Sequence, residues 1–367
     1  MEKILIIGNI PPPTTGATIV CNTLLESKLS QTYDIDFVNM RYISQISYMN
    51  KMTVKKILLS IKYVCNIIFK VLLNKPKLSI LVFSPLVTGA IRDSIITLIL
   101  SKIFSLKTIL WIHGNEIIDY DNKNAFVKFM IAKALKSSIK LALLGQNQEE
   151  NFLRFVNRSK IEIVPNGIKP TINIELKTSN IIQRNTNVLY FANFIIEKGW
   201  FITLQAASEI LKSRKDISFK FHGAWMNETD EGKAQNFISK NNLSYYIKLY
   251  GLTNGDAKKN AFKNADIFVF PTYFNVETYP LVILEAFEAG LPVITTSQGC
   301  ITEIVEDGIN GYIIPSKNVS VLVDKIIYLT EHPNIRNKMG QKNREKFLNY
   351  YTDEIFASRW ASLIEKI

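Results

Sequence analysis

Three cysteines in 367 residues (Cys21, Cys65 and Cys300) stand far apart, without pairing or ligand spacing. This leaves neither a disulfide framework nor a zinc site, and it suits a reducing compartment. Acidic residues are missing altogether between Phe37 and Arg92. Long apolar runs are scarce too. The stretches 57–73 and 78–91 are cut by Lys62 and Lys70 or fall short of about 18 residues, so no spanning helix is expected. Met1-Glu2-Lys3 leads straight into Ile4-Leu5-Ile6-Ile7. That start lacks a signal-peptide pattern, and a cytoplasmic location is expected. No G-x-G-x-x-G follows the first apolar run, which argues against a nicotinamide or flavin dehydrogenase.

What the chain does have is an uneven charge. Lys and Arg number 44 against 32 Asp and Glu, a net +12. Residues 1–170 hold 22 basic and 11 acidic side chains, and residues 171–367 hold 22 and 21, so +11 of the +12 lies in the first half. Anionic partners are implied for that half: a membrane surface, a phosphorylated substrate or nucleic acid. With 47% hydrophobic residues the chain is no disordered tail, and its length fits two domains.

Short β-branched runs alternate with longer helical patterns throughout, the signature of βα units and parallel sheets. The first set of strands is Lys3 to Gly8, Ile35 to Asn39, Leu78 to Phe83, Thr108 to His113, Ile139 to Leu144 and Ile161 to Val164. The second is Val188 to Phe191, Ser218 to His222, Ile247 to Tyr250, Ile267 to Phe270, Pro292 to Thr295 and Gly311 to Ile314. Nearly continuous apolar strands are covered on both faces. The fold class is therefore α/β, with two Rossmann-like doubly wound domains. A turn at Pro165-Asn166-Gly167 sets the boundary, giving domains 1–170 and 171–351. A last helix, 352–367, has the option of returning to the first domain.

Ligands of such folds bind at the carboxyl ends of strands, where a glycine before a helix lets N–H groups approach a phosphate. Gly16, in the loop Pro11-Pro12-Pro13-Thr14-Thr15-Gly16, is one candidate, with a ligand-free Pro-rich turn as the alternative. His113-Gly114 closes a strand, so His113 either hydrogen-bonds a ligand or simply ends the strand. In Glu197-Lys198-Gly199 a cation precedes a helix start, a pattern suited to a pyrophosphate and also common on surfaces. The fullest signal is Ala265 to Thr272 followed by Glu277-Thr278-Tyr279-Pro280-Leu281-Val282-Ile283-Leu284-Glu285. Here a strand, a loop and a helix starting near Pro280 carry two carboxylates eight positions apart, able to grip hydroxyls at two points of an extended ligand.

Taken in order, these elements resemble the retaining glycosyltransferases of family four, enzymes of the GT-B fold whose two Rossmann-like domains face each other across a cleft. The resemblance spans essentially the whole chain, through Glu288-Ala289-Gly290-Leu291-Pro292 and Glu303 to Gly311. It implies that Lys198 pairs with the donor diphosphate, assisted by the Gly16 loop, and that Glu277 binds the transferred sugar near the backbone of Leu281 and Val282. Glu285 would hold the ribose, Leu252 would meet the base, and His113 would sit beside sugar and acceptor. Lys198, Glu277 and His113 are thus the expected catalytic residues. No metal or other cofactor is expected, since cations and helix dipoles would stabilise the departing diphosphate. The implied activity is hexosyl transfer from a UDP-sugar, favoured over a GDP-sugar, to a lipid-linked or growing glycan in bacterial surface polysaccharide assembly. Two departures stand out: Asn193 replaces the arginine usual about five residues before the lysine, and Pro280 replaces a glycine.

The acid-free segment 51–77 holds seven lysines. As a helix it places Lys51, Lys55, Lys56, Lys62 and Lys70 on one stripe and Ile57, Leu58, Ile61, Val64, Cys65, Ile68 and Leu72 on a broad apolar side. It either lies on an anionic membrane as a peripheral anchor on the inner face of the plasma membrane or packs as a core helix with a solvated lysine face. A monomer that does not bind nucleic acid is expected, because exposed aromatics do not interleave with the lysines. The alternatives to the transferase are a nucleotide-sugar epimerase of the same architecture and a catalytically degenerate scaffold at the membrane.

Overall fold

The computed structural model describes residues 1–41, 54–84, 87–172 and 185–367. The chain forms two compact units, Met1–Lys169 with Asp353–Ile367, and Pro170–Thr352.

In the first unit β1 (Lys3–Gly8), β2 (Asp34–Asn39), β3 (Leu78–Phe83), β4 (Lys107–Ile112), β5 (Lys140–Leu143) and β6 (Ile161–Ile163) form one sheet in the order β2-β1-β3-β4-β5-β6. Every pairing is parallel, with Ile4 opposite Leu78 and Leu78 opposite Lys107. Its helices are α1 (Gly16–Glu26), α2 (Leu29–Thr32), α3 (Val54–Asn74), α4 (Val87–Leu98), α5 (Ala125–Ser137), α6 (Glu149–Leu153) and α14 (Asp353–Glu365). The order reverses direction at β1, and parallel crossovers are right-handed. The connection through α1 therefore runs over one face of the sheet, while α3, α4 and α5 cover the other. Ile4 to Ile7 and Ile109 to Ile112 are buried, which is why these strands read as unbroken apolar runs.

The last helix is part of this unit. Trp360 meets Trp111 edge-on at 4.9 Å, and Phe356 lies 5.9 Å from the same ring. A surface ion pair, Lys28 to Glu354 at 2.7 Å, closes it against the start of α2.

In the second unit β7 (Thr186–Phe191), β8 (Ile217–His222), β9 (Ile247–Tyr250), β10 (Ile267–Phe270), β11 (Val293–Thr295) and β12 (Gly311–Ile313) run β12-β11-β10-β7-β8-β9, again all parallel. Helices α7 (Trp200–Ile210), α8 (Glu228–Lys240), α9 (Gly255–Lys263), α10 (Leu281–Glu288), α11 (Ile301–Ile304), α12 (Val319–Glu331) and α13 (Pro333–Tyr350) complete it. The two six-stranded parallel sheets are the α/β architecture read from the sequence. Buried Glu288 holds the start of this unit: its Oε1 accepts from the backbone N–H of Ile172 at 2.6 Å and from that of Thr171. Burial pushes its carboxyl up, partly opposed by those two donors.

Helix α3 differs from the sequence reading at two points, the place of Lys70 and the length of its apolar stretch. Its packed edge carries Ile67 and Val71, both buried, whereas Ile57, Leu58, Ile61, Phe69, Leu72 and Leu73 are exposed. The broad apolar side thus faces outward. Lys70 does not belong to a solvated stripe: its ammonium pairs with Asp36 on β2, and Asn74 Nδ2 donates to the other Asp36 oxygen at 2.7 Å. A lysine that turns inward to a carboxylate is not available to an anionic surface. Finally, Ile57–Asn74 is long and apolar enough to cross a bilayer by length and composition, with mean hydropathy 1.7. The helix nevertheless lies along its own unit, with contacts to the core and Asp36 that a spanning segment would give up. Lys62 is exposed at the margin of the apolar face. Lys51 lies outside the described residues, as do the side chains of Lys55 and Lys56.

Candidate active site

The donor-type residues of the second unit gather at the carboxyl ends of its central strands. After β7 the chain runs through Asn193 to a short turn at Ile196–Lys198, then Gly199, then α7. Gly199 has φ 84°, and a Cβ there would lie 2.3 Å from the Pro271 carbonyl oxygen, so only glycine admits this approach. The neighbouring loop after β10 is stitched to the same turn: Tyr273 N–H donates to the Glu197 carbonyl at 2.7 Å, and Thr272 Oγ1 donates to it at 3.3 Å. Lys198 is thereby held over that loop. Its Nζ lies 3.0 Å from Glu277 Oε2 and 5.7 Å from the ring centres of Phe270 and Phe274. A cation among two aromatic faces and a carboxylate is fixed in place before any ligand arrives.

The loop bearing Glu277 is braced from behind. Cys300 N–H donates to the Thr278 carbonyl at 2.8 Å, and a Cβ on Gly299, at φ 54°, would come within 2.2 Å of the Glu277 carbonyl oxygen. Helix α10 begins at Leu281, with Pro280 as its N-cap rather than its first residue. The proline sits just outside because its φ of −69° and ψ of 118° are extended. The helix start therefore keeps the N–H groups of Leu281 and Val282, while Ile283 N–H turns back to the Pro280 carbonyl at 3.1 Å. Tyr190, buried under this site, donates its hydroxyl to the Lys198 carbonyl at 3.3 Å. Burial, and then the Glu277 charge, push that phenol well up, so it stays a neutral donor.

Glu285 lies on α10, one turn in, with its Oε1 2.6 Å from Lys258 Nζ on α9. Its Oε2 is buried and finds no hydrogen-bond partner. Leu252, in the loop after β9, is exposed. Asn193 serves the backbone: its Oδ1 accepts from Ala224 N–H at 3.4 Å, beside the bridge between Phe194 and Trp225. The position of the usual arginine thus braces two neighbouring loops.

The two candidates of the first unit sit at the carboxyl ends of β1 and β4. Gly16 is the first residue of α1, capped by Thr15, whose side chain accepts from Thr18 N–H while Thr18 Oγ1 accepts from Thr15 N–H. His113 lies tilted at 46° against Trp111, ring centres 4.3 Å apart, and burial pushes its imidazole down to about 3, so it is neutral at physiological pH. Its Nε2 has no partner, and neither has Oε2 of Glu116, which folds back over Gly114. These atoms suit hydrogen bonding to an uncharged ligand better than acid catalysis.

Sequence reasoning missed Lys258, Gly299 and the ring pair around Lys198. Lys258 sits in an ordinary polar helix, and only the fold brings it to Glu285.

Residues 172–346 match the model of glycosyl transferases group 1. An uncharacterised glycosyltransferase of Methanocaldococcus jannaschii is 28% identical over 255 residues, covering 67% of this chain and 65% of its own length. The sucrose-phosphate synthase of Thermosynechococcus elongatus superposes with TM-score 0.78 at 15% identity, over 100% of this chain and 99% of the other. HepE of Anabaena, solved with UDP, gives 0.75 at 14% identity over 100% of both, and its complex with UDP-glucose gives 0.74. The family match thus covers most of the second unit, and the likeness to the solved structures shows the fold of the whole chain, two Rossmann-like α/β domains.

Proposed function

We propose that the chain is a retaining glycosyltransferase that moves a hexose from a UDP-sugar to a lipid-linked or growing glycan in surface polysaccharide assembly. The observation that carries the reading is the Lys198–Glu277 pair, with Glu285 eight residues further along the same loop and helix. A diphosphate between Lys198 and the start of α10 meets a cation and free N–H groups, which stabilise charge as it develops on the leaving oxygen. Glu277, accepting from sugar hydroxyls, orients the anomeric carbon. The acceptor oxygen bonds to that carbon on the face the diphosphate leaves. The bond to the phosphate oxygen breaks with its electron pair, and the acceptor proton passes to that oxygen. His113, being neutral, would orient hydroxyls. The charge stabilisation comes from Lys198 and helix α10, so the transfer is proposed to need no metal.

HepE was solved with UDP and UDP-glucose, which favours a uridine donor in the proposal. The outward apolar face of α3, rimmed by Lys62, supports an acceptor held at an anionic bilayer. Helix α5 covers the same side of the sheet, has no acidic residue and exposes Phe126 and Phe129. The enzyme would then work as a peripheral protein on the inner leaflet.

The test is a panel of UDP- and GDP-hexoses, followed by nucleotide release with and without lipid-linked acceptors and with EDTA. Release from a UDP-sugar that survives EDTA and falls in Lys198→Ala supports the reading. No release from any donor would remove it.

A further inference from the structure

Glu285 is an asymmetric carboxylate. One oxygen, Oε1, is held by Lys258 Nζ at 2.6 Å, and the other, Oε2, is buried without a partner. Lys258 is itself fixed from two sides. Its ammonium lies 5.2 Å from the ring centre of Phe191. That ring is wedged between Phe262 at 5.2 Å and His222 at 5.5 Å. His222 stacks in turn on Tyr250 at 4.4 Å and bonds Thr253 through Nδ1 at 2.9 Å. Phe191, His222 and Tyr250 are cross-strand neighbours in the register of β7, β8 and β9, so the platform under Lys258 is built into the sheet.

We infer that Lys258 is a positioning residue for diol recognition: by occupying Oε1 it fixes the rotamer of Glu285 and leaves Oε2 as the acceptor for the vicinal hydroxyls of the donor's ribose. An ionised carboxylate only accepts hydrogen bonds, and a buried acceptor without a partner is restored by a ligand hydroxyl. The role rests on the nucleotide-sugar reading above and adds to it a residue that touches the carboxylate rather than the ligand. Without Lys258, Glu285 is free to turn toward solvent, and the preference for a ribose diol disappears even though the carboxylate remains.

Calorimetric titration of UDP and 2′,3′-dideoxy-UDP into the parent chain, Lys258→Met, Lys258→Arg and Glu285→Gln tests this, with circular dichroism to confirm folding. The parent is expected to favour UDP by about tenfold or more, the scale of one hydrogen bond to a charged group. Lys258→Met and Glu285→Gln should bind both nucleotides nearly equally, and Lys258→Arg should restore most of the preference. A Lys258→Met chain that keeps the full ratio, or that weakens for both nucleotides by the same factor, overturns the positioning role while leaving the donor reading intact. A parent chain that binds neither UDP nor GDP overturns the donor reading and the role of Lys258 with it.

Discussion

Lys198 Nζ and Glu277 Oε2 stand 3.0 Å apart, joining the turn after β7 to the loop after β10. Neither side chain is more than a quarter exposed, so the pair is a preset element of the site. The two residues should fail differently. In the proposed reading Lys198→Ala removes the cation that would meet the departing diphosphate, and it should lower turnover by about 100-fold or more. Glu277→Gln keeps a hydroxyl acceptor but releases Lys198, so it should weaken sugar discrimination more than nucleotide binding. Steady-state kinetics with two hexoses on one nucleotide checks this, and equal losses for both variants on both sugars would count against separate roles.

Gly299 should be intolerant of a side chain. Its positive φ and the 2.2 Å approach of a Cβ to the Glu277 carbonyl mean that Gly299→Ala must shift the loop bearing Glu277. A cost of about 1–3 kcal/mol in stability is expected, with donor affinity falling alongside. Thermal melting and nucleotide titration of the same variant measure both.

Two histidines shielded from water, His222 buried and His113 half-buried, make acid sensitivity predictable. Burial pushes His113 down to about 3, and burial followed by the Lys220 charge pushes His222 down to about 4. An unfolded histidine titrates near 6.5. Because their folded values are depressed, the stability they allow is fully present above about pH 6.5 and drains away as pH falls toward 3 to 4, by at most ~1.4 kcal/mol per pH unit for each. Asp93, Glu116 and Glu288, whose carboxyls burial pushes up, act in the opposite sense. The informative quantity is therefore the difference between the parent and His113→Phe with His222→Phe. Denaturant unfolding between pH 4 and 7 should show a shallower slope in the double variant.

The outward face of α3 gives a prediction for membrane binding. Phe69→Glu with Leu72→Glu should release the chain from vesicles containing phosphatidylglycerol. Lys62→Glu should weaken binding by about 1 kcal/mol for the cation lost and somewhat more for the charge added. Lys70→Glu should instead destabilise the fold by roughly 1–3 kcal/mol, because it sets a second carboxylate against Asp36. Vesicle sedimentation and melting separate these effects, and unchanged sedimentation of the Phe69/Leu72 variant would return α3 to a purely structural role.

The strands were legible because both sheets are parallel and covered on both faces, so runs such as Ile4-Leu5-Ile6-Ile7 and Ile267 to Phe270 are apolar from end to end. The residues around Lys198 and Glu277 were legible for a local reason: a lysine before a glycine, and two carboxylates on one loop and helix. The orientation of α3 was not. Periodicity shows that a helix has an apolar side but not which edge packs; here Ile67 and Val71 make the contact, next to the Lys70–Asp36 pair, and the wider face is left outside. Lys258 escaped for a similar reason. A lysine in Asp256-Ala257-Lys258-Lys259 looks solvated until the register of β7, β8 and β9 sets Phe191 beneath it. The start of α10 shifted by one residue because a proline fits a cap as well as a first turn.

The most direct test is the release of UDP from UDP-hexoses by the purified chain and by Lys198→Ala, each in the presence of acceptor lipid extract. The account predicts donor-dependent release by the parent that falls by about 100-fold or more in the variant, with the product keeping the donor's anomeric configuration. Equal release by the two chains, or a product of inverted configuration, would contradict it.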